Sequence, residues 1–180
     1  MIKIQKATVK DAELIAQLGK QTFYESHGHS ASKTDIDTFV QKNYNVESVV
    51  QEFENAHVDY HLINYNKKTV GFSKIEYSSP DTNIAEQRVT KLARIYLLDS
   101  YHGKNLGATL FDYNIELSKA YGDNGVWLHV WVKNKKAIRF YKKNGFKIVG
   151  EHDYEISKTH TNPNHVMYLE YYKMSNTISF

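Results

Sequence analysis

The segment from residue 91 to residue 146 decides the fold, and it reads KLARIYLLDSYHGKNLGATLFDYNIELSKAYGDNGVWLHVWVKNKKAIRFYKKNGF. Its first part is apolar over residues 92–98 and leads into a turn that contains two glycines. Apolar residues then recur at helical spacing, and a second apolar run and a second helical pattern come after them. The segment therefore predicts a strand, a helix, a strand and a short helix in direct succession.

The sequence on either side supplies further strands and helices. Residues 2–8 alternate like a strand. Thr8 and Asp11 have the spacing of a capping box, which predicts a helix that ends at Gly28. Residues 58–79 return to a period of two around a central turn, the pattern of a β-hairpin. The other predicted elements are helices over 35–44 and 46–55 and strands over 146–156 and 165–173.

The composition is that of an ordinary globular protein. Of the 180 residues, 41% are hydrophobic and 24% are charged, the formal net charge is +3, and there is no cysteine. The lack of cysteine excludes disulfides, cysteine-ligated zinc and a cysteine nucleophile. The sequence has neither the basic stripe of a nucleic-acid-binding protein nor an apolar run long enough for a membrane span or a signal peptide. We therefore expect a soluble, cytoplasmic protein with no nucleic-acid or membrane partner.

Residues 102–110, HGKNLGATL, have the form of an anion-binding turn. A strand that leads through a glycine-containing turn into a helix presents unpaired backbone N–H groups to one point, and the helix dipole adds to their effect. Gly103 and Gly107 allow the backbone to approach a ligand closely, and Lys104 adds a positive charge. Asn105 tolerates a left-handed conformation. The alternative is an ordinary left-handed turn that caps a helix.

The second helical pattern places two polar side chains on one face. Asn134 and Tyr141 are seven residues apart, which is two turns, or about 10.5 Å along a helix axis. Ala137 lies between them and leaves room beside the helix. Asn134 also suits the N-cap of this helix, and Tyr141 can also be read as a core tyrosine.

These motifs, HxxNxG at residues 102–107 and NxxAxxFYxxxGF at residues 134–146, resemble those of the GNAT family of N-acetyltransferases. Within the family, the stretches TFYESHG, RIYLL and VWVKN are similar to the spermidine/spermine acetyltransferases of the PaiA type. The resemblance implies one α/β (α+β) domain over residues 1–173, with a central, mixed, mostly antiparallel sheet of about seven strands flanked by helices. A frayed tail over residues 174–180 would follow.

The resemblance also implies the co-substrate and the roles of several residues. Acetyl-CoA would be held through the backbone of the strand before the turn, and Asn134 would touch the pantetheine arm. Tyr141 would be the general acid that protonates the departing thiolate. The residues expected to hold the cofactor are Ile95, Tyr96, Leu97, His102, Gly103, Lys104, Asn105, Leu106, Gly107, Ala108 and Asn134.

The general base and the acceptor are less well defined by the sequence. The strand before the turn carries no carboxylate, so Glu25 and Glu76 are candidates from neighbouring walls, beside an ordered chain of water. The expected acceptor is the primary amine of a small molecule, a polyamine first, which would need an acidic, enclosed cleft. The alternatives are a peptide or protein N-terminal amine, which would need an open groove, and a weakly active acyl-CoA-binding module. The sequence leaves a homodimer open, and without an HExxH pattern it predicts no metal.

Overall fold

Seven strands and five helices make up the part of the chain that the computed structural model describes, residues 1–171. The predicted tail over residues 174–180 lies outside the described residues. In chain order the elements are β1 (Ile2–Lys6), α1 (Ala12–His27), α2 (Lys33–Asn43), α3 (Val46–Phe53), β2 (Val58–Tyr65), β3 (Lys68–Glu76), β4 (Thr90–Leu97), α4 (Leu106–Tyr121), β5 (Gly125–Trp131), α5 (Lys135–Lys143), β6 (Lys147–Ser157) and β7 (His160–Glu170).

All seven strands belong to one sheet, with the order β1-β2-β3-β4-β5-β7-β6. Every neighbouring pair is antiparallel except β4 and β5, which are parallel. Helices α1 and α3 pack on one face of the sheet, against residues such as Tyr60 and Phe72. Helices α4 and α5 pack on the other face, against Leu128 and Val130. The predicted mixed, mostly antiparallel seven-stranded sheet is therefore confirmed.

Local sequence signals explain several boundaries. The capping box of Thr8 and Asp11 forms, and the chain makes one 3₁₀ turn before α1 begins at Ala12. Asn45 separates α2 from α3, because its side chain accepts a hydrogen bond from the Ser48 N–H and so caps the second helix. The hairpin between β2 and β3 turns through two consecutive residues with positive φ, which suits a tight two-residue connection.

The last strand is longer than the sequence predicts. β7 begins at His160, five residues before the predicted start, and it pairs with β6 from His160 to Tyr168. The early part contains Asn162, Pro163 and Asn164, which are typical of a loop. Burial of the two asparagine side chains and a hydrogen bond from the Val132 N–H to the Pro163 carbonyl keep this segment in the sheet.

The parallel contact between β4 and β5 is short. The strands pair only at Thr90 with Val126 and Lys91 with Trp127, and beyond these residues they diverge. Buried Asp123 holds the closed end, since its carboxylate accepts hydrogen bonds from the Ser78 N–H and from the Thr90 hydroxyl. The sheet is therefore open between β4 and β5, although both strands are central.

Burial of histidines makes stability sensitive to acid. His61 on β2 is 1% exposed. Its burial lowers its pKa from 6.5 to about 4. The charge of Lys6 adds to this shift, and the charge of Asp59 opposes it. The unfolded chain therefore binds more protons than the folded chain between these two values, so this contribution to stability is complete above about pH 6.5 and is lost as the pH falls toward 4.

We expect the melting temperature to fall steadily when the pH is lowered from about 7 to about 4.5. Replacement of His61 by Gln should flatten that decline, whereas the same change at exposed His57 should leave its slope unaltered. Thermal melts followed by circular dichroism give the slopes. Equal slopes for the His61 variant and the unmodified protein would contradict the expectation.

Candidate active site

The gap between β4 and β5 opens into a cleft of about 410 Å³. A bulge widens it: Arg94 pairs with Lys74 and Leu92 pairs with Ile75, so Ala93 has no partner on β3. Side chains from β3, β4, β5, α1, α5 and the β6–β7 hairpin line the cleft. Because both of its long walls are sheet strands, the cleft connects the two faces of the sheet.

The two faces offer different chemistry. Ile95 and Leu97 on β4 face α4, and Leu128 and Val130 on β5 face α4 and α5, so this half is apolar. On the opposite face, beside α1 and α2, the cleft is lined by larger and more polar side chains. These are Arg94 and Tyr96 on β4, His129 and Trp131 on β5, Phe23 and His27 on α1, Tyr44 after α2, and Tyr154 on β6.

The backbone of β4 has free groups along the cleft. Along an antiparallel strand, the backbone N–H and C=O groups of successive residues point alternately to the two sides. The Leu98 N–H donates to the Val70 carbonyl, so the backbone groups of Tyr96, two residues earlier, also point toward β3. The same alternation turns the N–H and C=O groups of Ile95 and Leu97 toward the gap, where β5 is too far away to pair with them. Three residues are predicted to hold the cofactor through their backbone. Ile95 and Leu97 turn their backbone groups toward the cleft, whereas Tyr96 lines it with its side chain alone.

The turn before α4 has the predicted conformation. Gly103 has φ of 78° and Asn105 has φ of 60°, and α4 begins directly afterwards at Leu106. A Cβ atom at Gly103 would meet no atom within 4 Å, so the space in front of the turn is open. His102, Lys104 and Asn105 are exposed, whereas the Leu106 side chain is buried in the core and leaves only its backbone for a ligand. The first N–H groups of α4 have no partners within the helix.

Reversal of the charge at Lys104 should weaken acetyl-CoA binding. In Lys104→Glu a carboxylate would stand at the turn that is expected to receive the diphosphate, so we expect KM for acetyl-CoA to rise about tenfold, or about 1.4 kcal/mol, with kcat unchanged. Lys3→Glu, an equal charge change at an exposed residue of the edge strand β1 that does not line the cleft, is the control. Initial rates at several acetyl-CoA concentrations measure both constants. An unchanged KM in Lys104→Glu would contradict the assignment of the turn.

Asn134 and Tyr141 both line the cleft from α5. The Asn134 side chain accepts a hydrogen bond from the Ala137 N–H at 3.1 Å, so the interpretation as an N-cap is confirmed. Tyr141 is 8% exposed, and its ring packs against Phe111 and Phe146. Within residues 1–171 its hydroxyl donates to no protein group. Burial, helped by Tyr96, raises the pKa of Tyr141, so the phenol stays protonated at neutral pH.

The two predicted glutamates have other partners. Glu25 accepts a hydrogen bond from the Asp99 N–H at 3.0 Å and thereby anchors the turn that follows β4, but it does not line the cleft. Glu76 lines the cleft, and its carboxylate lies 2.9 Å from the ammonium of Lys74.

A partly buried ionic cluster lies behind the cleft, and no local pattern in the sequence predicts it. The guanidinium of Arg94 donates two hydrogen bonds to Glu52, at 2.9 and 3.1 Å, and a third to the Tyr60 hydroxyl. Lys74 lies 2.9 Å from the same carboxylate, and the Arg94 guanidinium lies over the Tyr44 ring. Burial works to raise the pKa of Glu52, but Arg94 and Lys74 together lower it. Glu52 therefore stays ionised and fixes Arg94 in the wall.

The wall beside α1 is not acidic. Among the residues that line the cleft, Lys74, Lys91 and Arg94 are cationic, against the carboxylates of Glu76 and Asp99. Lys91 forms no ion pair with any residue in 1–171, and its ammonium lies 4.9 Å from the centre of the Trp127 ring. A cationic acceptor would therefore depend largely on the aromatic rings of this wall.

In the described part of the chain, no three His, Asp or Glu side chains come together as a metal-binding group. None of the helices within residues 1–171 has the length and apolar character needed to cross a membrane.

Comparison with known proteins gives the family. The Acetyltransferase (GNAT) family matches residues 17–146, more than half of the chain. An uncharacterized N-acetyltransferase of Lactobacillus delbrueckii subsp. lactis is 24% identical over 84% of this chain and 87% of its own length. A spermidine N(1)-acetyltransferase of Thermoplasma acidophilum is 24% identical over 82% of this chain and 89% of its own. The crystal structure of PaiA N-acetyltransferase from T. acidophilum in complex with coenzyme A has a TM-score of 0.75, at 22% identity, and covers 95% of this chain and 99% of that chain.

The family match covers the divergent strands, the turn before α4 and all of α5. The observed sheet also agrees with that of a known N-acetyltransferase, since the PaiA structure superimposes over nearly the whole chain. The chain therefore belongs to the acetyltransferase (GNAT) family and is an acetyl-CoA-dependent N-acetyltransferase.

Proposed function

We propose that this protein transfers the acetyl group of acetyl-CoA to the primary amine of a small molecule, and that the acceptor is a polyamine such as spermidine or spermine. The observation that carries the proposal is the cleft through the sheet. On one side it is apolar and is lined by Tyr141, whose hydroxyl stays protonated and has no hydrogen-bond partner in residues 1–171. On the other side it has a wall of aromatic rings.

Acetyl-CoA would enter the cleft from the side of α4 and α5. Its diphosphate would lie on the turn over residues 102–108, and its pantetheine arm would run beside Asn134. The backbone N–H groups of Ile95 and Leu97, which face the gap, would bind the pantetheine and the thioester oxygen. Donors fixed in advance at such a position stabilise the oxyanion of a tetrahedral intermediate.

The chemistry requires an amine nitrogen, an acetyl carbon and a departing sulfur. The nitrogen lone pair attacks the carbonyl carbon, the carbonyl electrons move to oxygen, and their return breaks the C–S bond. The sulfur leaves as a thiolate, which takes the hydroxyl proton of Tyr141. A phenol is a weak acid, so the donor must lie close to the sulfur, and the packing of its ring on Phe111 and Phe146 provides this fixed position.

A polyamine is supported by the spermidine N(1)-acetyltransferase relative and by the wall beside α1. Tyr44, Tyr96, Trp131 and Tyr154 line that wall. Aromatic faces attract alkylammonium groups and also cover the methylene chain between them. Glu76 supplies a carboxylate, although it is shared with Lys74.

A second acceptor class is an amine with a nearby carbonyl or carboxylate oxygen, as at the N-terminus of a peptide. Trp131 lines the cleft, and neither a hydrogen-bond partner for its indole N–H nor a counter-ion for Lys91 is present within residues 1–171. Both groups are donors only, and so are the ammonium groups of a polyamine. An acetyl acceptor that carries a carbonyl or carboxylate oxygen would accept hydrogen bonds from these two groups.

An acetyl-CoA thiol-release assay across an amine panel tests the proposal. The panel holds spermidine, spermine, amino acids, aminoglycosides and short peptides, and mass spectrometry of each mixture identifies the acetylated product. We expect the highest kcat/KM with a polyamine. Reaction of a peptide while spermidine fails would replace the polyamine by the second class. Binding of acetyl-CoA in calorimetry with no thiol release from any amine would show an acyl-CoA-binding module instead.

A further inference from the structure

His27 lies across the opening between β4 and β5. It is the last residue of α1, and its ring contacts Tyr96 on β4 and Trp131 on β5, with centroid distances of 6.5 and 5.8 Å. The ring also stacks on Phe23, at 5.0 Å and an interplanar angle of 16°. His27 lines the cleft, so its imidazole stands on the acceptor side of the gap through which the thioester would be reached.

The hydrogen bonds around His27 define which ring nitrogen carries the proton. The Ser26 hydroxyl donates to the Thr22 carbonyl at 2.7 Å and lies 2.6 Å from His27 Nδ1. The hydroxyl has one proton, so it can donate to the carbonyl and also bond to the ring only if its oxygen accepts from Nδ1–H. The other nitrogen, Nε2, then holds a free lone pair, and it bonds to no group in residues 1–171.

The His27 ring is neutral at physiological pH. Burial, with a smaller contribution from His29, lowers its pKa to about 4. The rings that contact it, those of Phe23, Tyr96 and Trp131, carry no charge at neutral pH. Nε2 is therefore available as a hydrogen-bond acceptor to an incoming amine.

Other bases near the cleft are less accessible. The Glu76 carboxylate is paired with Lys74, and Glu25 is bonded to the Asp99 N–H. His129 lines the cleft as well, but its Nε2 is enclosed by protein, and its ring is stacked on His152 at 4.1 Å. His27, by contrast, contacts both β4 and β5, and its Nε2 lone pair is bonded to no group in residues 1–171.

We propose that His27 Nε2 accepts the proton of the attacking amine. This inference rests on the proposed function. As the N–C bond forms, the amine nitrogen becomes positively charged, and its proton passes to Nε2 with the N–H electrons left on nitrogen. The C–S bond then breaks and the thiolate takes the proton of Tyr141. Afterwards the His27 imidazolium loses its proton to water and the Tyr141 phenolate takes a proton from water, so both side chains return to their starting forms.

The test compares His27→Ala with His29→Ala in the polyamine thiol-release assay. His29 is a matched control, because it is two residues away and its ring also lies near Trp131, at 5.5 Å, but it is exposed and does not line the cleft. Loss of a general base typically costs 10²-fold or more, so we expect kcat to fall about 10²-fold in His27→Ala and less than twofold in His29→Ala. Calorimetric Kd values for acetyl-CoA and thermal melts should match between the two variants.

Chemical rescue separates proton transfer from packing. Imidazole added to His27→Ala should restore part of the lost kcat, whereas pyrazole, a ring of the same size and a far weaker base, should not. Equal rescue by both rings, rescue by neither, or a wild-type kcat in His27→Ala would each overturn the role of His27. No turnover by the wild-type protein with any amine would refute the proposed function and this inference together, which distinguishes the two failures.

Discussion

Tyr141→Phe is expected to lower kcat about 10²-fold while KM for acetyl-CoA changes less than twofold, as general-acid contributions of this size predict. The phenylalanine ring keeps the packing on Phe111 and Phe146 and removes only the hydroxyl proton. The departing thiolate would then have to be protonated by water, which raises the barrier for C–S cleavage without changing the binding of the cofactor.

Steady-state rates of thiol release, at saturating amine and varied acetyl-CoA, give both constants for Tyr141→Phe. Tyr121→Phe is the control, because Tyr121 ends α4, is 44% exposed and does not line the cleft. The thiolate of a more acidic thiol can leave without being protonated. An acetyl thioester of such a thiol should therefore react at similar rates with Tyr141→Phe and with the unmodified protein. An unchanged kcat in Tyr141→Phe would refute its role as the acid.

Glu52→Ala is expected to lower the free energy of unfolding by about 2–3 kcal/mol, somewhat less than when one partner of a fully buried ion pair is removed, because Glu52 is 25% exposed. Arg94, whose side chain is only 16% exposed, would lose its two hydrogen bonds to the Glu52 carboxylate. Lys74 would be left with a single ion pair, to Glu76. The cost comes mainly from an uncompensated guanidinium in the wall of the cleft.

Equilibrium unfolding in urea measures the loss in Glu52→Ala. Glu47→Ala, in the first turn of the same helix and exposed, should cost less than about 1 kcal/mol. The double variant Glu52→Ala with Arg94→Met should recover part of the stability, because the unpaired charge is removed with its partner. A loss below about 1 kcal/mol in Glu52→Ala, or no recovery in the double variant, would contradict the importance of the cluster.

The parts of the site that the sequence predicts are those within a single local element. Asn105 has its left-handed conformation because the turn before α4 needs one, and both residue type and position show this in the sequence. Asn134 and Tyr141 share a face because helical spacing places them there. Each depends on neighbours a few residues away, which a single sequence shows directly.

The parts that the sequence does not predict depend on distant pairings. The point at which the pairing of β4 and β5 stops is one of them, because neither strand carries a residue that marks the end. Glu52 looks like a surface residue of α3 until the fold brings it to Arg94, 42 residues later. The sequence does not show the early start of β7 for the same reason, since pairing with β6 outweighs the loop-like composition of residues 160–164. His27 is recognisable as functional only when Tyr96 and Trp131 are seen on either side of it.

A crystal structure of the protein with coenzyme A tests the central claim most directly. We expect the pantetheine arm in the gap between β4 and β5, with hydrogen bonds to the backbone of Ile95 and Leu97, the diphosphate on residues 102–108, and the thiol within hydrogen-bond distance of the Tyr141 hydroxyl. Coenzyme A bound at another surface, with the gap between the two strands unfilled, would contradict the claim.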